Sequence, residues 1–141
     1  MAIQQISVFI ENKAGRLAEI LTILAEAGQD IRAFSVAEKA EFGILRLIVH
    51  DPDAAIAELK SKGFTAKKTD VLGILIEDET GASVKAIQLL SAAGINVEYT
   101  FAFVMPQNRL AFLLLRVADN DTATKLLEEN AIRTANHADV F

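Results

Sequence analysis

The chain has 141 residues, of which 52% are hydrophobic but only 6% aromatic, and it carries a formal net charge of −5. That apolar content excludes a disordered chain, and the acidic balance argues against a nucleic-acid backbone as partner. The absence of cysteine excludes disulfides, thiol nucleophiles and thiolate metal sites, and suits a cytoplasmic protein.

Ile6, Val8 and Ile10 alternate with Ser7 and Phe9, the period of a strand rather than of a signal peptide. Residues 11–15 form a short loop. Leu17, Ile20, Leu21 and Leu24 then recur on one face of a helix, which Gly28 closes. Strands are predicted over residues 31–36 and 42–49. Asp51 as N-cap and Pro52 in the first helical position open a second helix, anchored by Ile56 and Leu59 and stopped by Gly63. Residues 64–69 form a fourth strand. The order then repeats: a strand over 71–76, a helix over 82–93 closed by Gly94, a hairpin of 95–104 with 109–117, a helix over 119–130 and a last strand over 132–140. No apolar run is long enough to span a membrane.

The repetition is literal. Ile6 to Asn12 returns as Leu72 to Asp78, Gly15 as Gly81 and Gly28 as Gly94, all at an offset of 66 positions. Leu45, Leu47, Val49, Asp51 and Leu59 return as Leu113, Leu115, Val117, Asp119 and Leu127 at an offset of 68, so two residues were gained near Pro106-Gln107-Asn108. A fixed period means two copies of one supersecondary unit, residues 1–70 and 71–141. Each reads βαββαβ, an α+β ferredoxin-like unit with a four-stranded antiparallel sheet and both helices on one face. The two sheets are expected to join side by side into a larger one. Units of this size are marginal alone, so a homodimer is also expected.

The loop before each first helix is the candidate site. A helix N-terminus presents unpaired N–H groups and a positive dipole end, and takes carboxylates readily. Gly15 and Gly81 let the backbone approach a ligand. Asn12 and Asp78 precede these glycines, and Asp30 and Asn96 follow the helices they open. Each unit therefore owns one carboxylate and one carboxamide, a complement that suits a free amino acid. Arg16 could reach a ligand carboxylate; its counterpart Ala82 cannot. His50 and His137 lie far apart with no patterned acidic partners, so neither a metal nor another cofactor is expected. No nucleophile–base pair emerges at informative spacing, which argues against catalysis.

These motifs resemble the ACT domain family, over essentially the whole chain as a tandem pair. The family's first loop often reads Asn-x-Pro-Gly-x-Leu; here it reads Asn12-Lys13-Ala14-Gly15-Arg16-Leu17 and, in the second unit, Asp78-Glu79-Thr80-Gly81-Ala82-Ser83. The helix exits read Gly28-Gln29-Asp30-Ile31 and Gly94-Ile95-Asn96-Val97. Ala14 replaces the usual proline and Asp30 the usual asparagine. The resemblance implies regulatory amino-acid binding at interfaces between ACT units, without catalysis. It carries over Asn12, Ala14, Gly15, Arg16, Leu17, Asp30, Asp78, Thr80, Gly81, Ala82 and Asn96 as ligand-binding positions. The expected protein is a non-enzymatic regulator of amino-acid metabolism acting on a separate enzyme or through its own assembly. The alternative is an interaction module, or regulatory subunit, without an effector of its own.

Overall fold

The computed structural model describes residues 2–39, 41–77, 79–105 and 109–141. The two residues gained by the second repeat, near Pro106-Gln107-Asn108, lie outside the described residues. The chain divides into two compact units, an N-terminal one of Gln4–Thr69 with Phe141, and a C-terminal one of Asp70–Val140 with the residues preceding Gln4.

The N-terminal unit is built from β1 (Ile3–Glu11), α1 (Arg16–Glu26), β2 (Ile31–Lys39), β3 (Phe42–Val49), α2 (Pro52–Ser61) and the start of β4 (Thr65–Glu77). Its strand order is β2-β3-β1-β4. The C-terminal unit continues with α3 (Ala82–Ala92), β5 (Tyr99–Met105), β6 (Leu110–Arg116), α4 (Asn120–Glu129) and β7 (Arg133–Ala135). There β5 pairs with β6, β6 with β4 and β4 with β7, all antiparallel. The duplicated ferredoxin-like α+β architecture is therefore present.

Three elements depart from the sequence pattern, the first being the strand predicted over 95–104, which begins only at Tyr99. Residues 64–69 and 71–76 read as two strands, yet the chain forms one strand of 13 residues through Thr69 and Asp70. Neither residue forces a turn there. The last strand, predicted over 132–140, stops at Ala135 and gives way to a 3₁₀ turn over His137–Val140. The Asn136 N–H donates to Asp139 Oδ2 (2.9 Å) and the Asp139 N–H donates to Asn136 Oδ1 (3.1 Å). Such side-chain bonds to nearby backbone outcompete a strand ladder.

Alternation sets the cores. In the N-terminal unit Ile6, Val8 and Ile10 on β1 and Leu45, Leu47 and Val49 on β3 meet Ile20 and Leu24 of α1 and Ala55 and Leu59 of α2. In the C-terminal unit Leu72, Ile74, Leu113, Leu115 and Val117 meet Ala86 and Leu90 of α3 and Ala123 and Leu127 of α4. Each fully buried large aliphatic side chain contributes roughly 1.5–3 kcal/mol, so these faces hold the helices down.

The register fixes which ends of the elements are neighbours. Ile10 lies opposite Gly43 and Glu11 opposite Phe42, while Lys39 lies opposite Phe42 across the hairpin. Ile31 lies opposite Val49 at the other end. The β1–α1 loop and the β2–β3 hairpin therefore share one end of the sheet, and the start of β2 lies at the other.

The four helices start in two ways. The Asp51 side chain accepts from the Ala54 N–H (3.2 Å), and Asp119 accepts from the Thr122 N–H (3.1 Å) and hydroxyl (2.6 Å). By contrast α1 and α3 follow Gly15 (φ 91°) and Gly81 (φ 82°), with no side-chain cap. The Thr122 bonds hold the Asp119 carboxyl below its ordinary value of 3.8, the hydroxyl contributing most. A depressed folded-state value stabilises the fold above the unfolded value and is lost as pH falls through the folded one. Asp119→Ala is accordingly expected to lower the melting temperature at neutral pH. Thermal unfolding followed by circular dichroism should show the gap from wild type closing below about pH 4.

Candidate functional site

In the N-terminal unit the chain leaves β1 at Glu11 and turns tightly. The Asn12 N–H donates to the Glu41 carbonyl (2.8 Å), the Lys13 N–H to the Glu11 carbonyl (2.9 Å) and the Arg16 N–H to the Lys13 carbonyl (3.4 Å). Gly15 makes the left-handed step into α1. Without a side-chain cap, the first N–H groups of α1 keep their capacity to bind an anion. Arg16 lies between Glu19 (2.9 Å) and Glu11 (3.7 Å), and Lys13 lies 3.4 Å from Glu11. The loop is thus a balanced set of exposed charges that a zwitterion can enter by exchange.

Beside this loop, on the helix-bearing face of the sheet, is a cleft of about 320 Å³. Glu11, Asn12 and Lys13 form its polar rim, and Ile10, Leu17, Val36 and Gly43 form its apolar wall. A second hollow of about 300 Å³ includes Arg16, Glu19 and Lys62. In the C-terminal unit a cleft of about 490 Å³ is lined by Glu77, Glu79, Thr80, Gly81, Ala82, Lys85 and Arg133. Its cations come from different positions: Ala82 stands where Arg16 stands, and Lys85 where Glu19 stands.

Of the predicted positions, Asn12 and Leu17 line the first cleft, Arg16 the second hollow, and Thr80, Gly81 and Ala82 the C-terminal cleft. Ala14 and Gly15 are exposed in the turn itself. Asp78 lies outside the described residues. Asn96 is at the far end of α3, in a separate cleft of about 330 Å³ with Glu98, Asp119 and Thr122.

Asp30 is likewise at the far end of α1. Its side chain is 64% exposed and pairs with Arg32 (3.2 Å), and its N–H donates to His50 Nδ1 (3.0 Å). The Arg32 guanidinium sits 5.0 Å from the centre of the Phe141 ring, which meets the His50 ring edge-on. An 11-residue helix spans about 16 Å, so Asn12 and Asp30 of one unit do not reach one small molecule. Ile10, Glu11, Lys13, Val36 and Gly43 line the first cleft but were not anticipated. A glycine inside a strand pattern was the available signal for Gly43.

Among the described residues, no three His, Asp or Glu side chains converge on a metal position, and no helix is long and apolar enough to cross a membrane. Two ferredoxin-like units in one chain, each opening its first helix on an uncapped glycine turn beside a cleft, define a duplicated α+β module. The chain belongs to the ACT domain pair family, whose profile matches residues 1–140. It is 38% identical to protein BT0572 from Bacteroides thetaiotaomicron, over 99% of this chain and 96% of that one, with a TM-score of 0.92. The ligand-free regulatory subunit of aspartate kinase from Thermus thermophilus shares the fold at 15% identity, over 89% and 91% of the two chains, with a TM-score of 0.66. No curated protein matches the sequence. ACT domain pairs are regulatory modules rather than catalytic ones.

A Cβ on Gly15 would meet nothing within 4 Å, so a substitution there is opposed by conformation alone. Gly15→Ala should cost about 1–2 kcal/mol in urea unfolding, and Gly15→Asn less, because asparagine tolerates the left-handed region.

Proposed function

We propose that this chain is a regulatory protein whose N-terminal unit binds a free amino acid at the β1–α1 loop, in a site completed by a second copy of the chain. The observation that carries this reading is the uncapped, glycine-initiated start of α1 beside a cleft with a carboxylate, carboxamide and ammonium rim. The effector's carboxylate occupies the N–H groups at the start of α1, with Lys13 and Arg16 in range. Asn12 donates or accepts from the rim. The effector's ammonium group requires a carboxylate, and Asp30 of the second copy supplies it by exchanging its exposed Arg32 partner.

The edge strand β2 supports that arrangement. It ends the N-terminal sheet and exposes Phe34 (50%) and Val36 (46%) on the helix-bearing face, where they lie opposite core residues Leu47 and Leu45. An unpaired apolar edge is a template for another strand. Antiparallel pairing of two β2 strands centred on Ser35 sets Phe34 of each against Val36 of the other. The same register lays Asp30 of the second copy at the Lys39 end, beside the β1–α1 loop. Binding that favours this dimer shifts its population by the difference in affinity, and the output passes to assembly state or to a separate metabolic enzyme.

Calorimetric titration with a panel of amino acids tests the proposal. One or more should bind, and Asn12→Ala and Asp30→Ala should each weaken that binding by about tenfold or more, the scale of a hydrogen bond to a charged group. Wild-type affinity in both variants, with the fold intact by circular dichroism, would reject the site.

A further inference from the structure

The effector's side chain has a destination in the first cleft, and it is apolar. Resting on the amino-acid reading above, we infer that the N-terminal unit selects an aliphatic amino acid of the valine, isoleucine or leucine type, and that Gly43 is the residue that makes room for it. Beyond the polar rim, the wall consists of Ile10 from β1, Leu17 from α1 and Val36 from β2. None of the three presents a polar side-chain atom. A serine hydroxyl, a second carboxylate or a lysine ammonium placed there would lose water without gaining a partner.

Gly43 forms the floor. It is buried, directly opposite Ile10 on β1 and Glu38 on β2. A Cβ built on it would lie 3.5 Å from Ile10 Cγ1, 3.6 Å from Val36 Cγ1 and 3.3 Å from the Ala37 carbonyl oxygen. That methyl group would project between the two side chains that line the cleft and fill the space where a ligand side chain enters. The backbone does not need glycine here, since Gly43 is not among the glycines with positive φ. Its absent side chain therefore serves space rather than conformation.

The second unit provides an internal comparison. At the positions equivalent to Leu17, Val36 and Gly43 it carries Ser83, Ala102 and Ala111. Ile76 keeps the place of Ile10, but the other two wall residues are smaller or polar and the floor is raised by one methyl group. The C-terminal cleft occupies the place of the second hollow, and there Glu77, Glu79, Lys85 and Arg133 stand beside Leu75, Ile76 and Ile132. The recess formed by Leu17, Val36 and Gly43 is therefore particular to the N-terminal unit.

The test is calorimetric titration of the full chain with valine, isoleucine, leucine, alanine, serine, aspartate and lysine. Burying two further carbon atoms should favour valine over alanine by about tenfold. Gly43→Ala should weaken the branched aliphatic ligands by about tenfold or more, while alanine changes by less than about threefold. Val36→Thr, a nearly isosteric change, should lower affinity for the branched ligands while alanine changes by less than about threefold, which separates loss of the cleft wall from loss of assembly and guards against misfolding of the Gly43 variant. Tighter binding of serine, aspartate or lysine by the wild type would overturn the inference while leaving amino-acid binding standing. Equal losses across the panel in Gly43→Ala would do the same. No binding by any member would overturn both readings.

Discussion

The length of α1 is the constraint on which the site depends. Eleven helical residues place the uncapped glycine turn at one end of the sheet and the exposed carboxylate of Asp30 at the other. The register reinforces that separation, because β1 ends beside the β2–β3 hairpin while β2 begins beside Val49. A unit of this topology cannot fold its own Asp30 back onto Asn12. Antiparallel pairing of edge strands reverses the direction of β2, and so carries the start of one strand to the end of its neighbour. Under the proposed function, that separation of rim and carboxylate within one molecule is the reason a ligand at this place would report on assembly.

Duplication lets structural and functional features be told apart within one chain. The second helix of each unit is capped by an aspartate, Asp51 or Asp119, whose side chain satisfies the helix's own N–H groups. The first helix of each unit begins on a left-handed glycine with no cap. The second helices are closed by side-chain hydrogen bonding, whereas the first helices have no side-chain cap, and only loop carbonyls reach the Arg16, Ala82 and Val84 N–H groups. The units then diverge around the same backbone. Arg16 gives way to Ala82, Leu17 to Ser83 and Gly43 to Ala111, so the two turns differ in charge and in the side chains that surround them.

Much of this was legible from the sequence because the local signals agree with one another. The repeat fixed the unit, alternation placed Ile6, Val8 and Ile10 on the core face, and Asp51 with Pro52 marked the start of α2. The fused 13-residue β4 was not legible, since Thr69 and Asp70 look like a junction until the ladders on either side are known. The early end of β7 was hidden for the opposite reason: Asn136 and Asp139 bond to each other's backbone, a contest that periodicity does not register. At the site, Asn12 and the glycine turn were readable from spacing. The cleft wall was not, because Gly43 and Val36 reach Ile10 and Leu17 through sheet register rather than through neighbourhood in the chain.

The most direct measurement is complementation between two defective chains. Asn12→Ala and Asp30→Ala proteins, each weakened in binding alone, would be unfolded, mixed and refolded together, then titrated with the effector. If each site takes its rim from one molecule and its carboxylate from another, the mixed dimer contains one site with both defects and one with neither. Binding at wild-type affinity should then return at one site per mixed dimer, while each variant refolded alone keeps only its weakened affinity. A mixture that remains as weak as its components, although mixed dimers are present by mass spectrometry, would contradict a shared site.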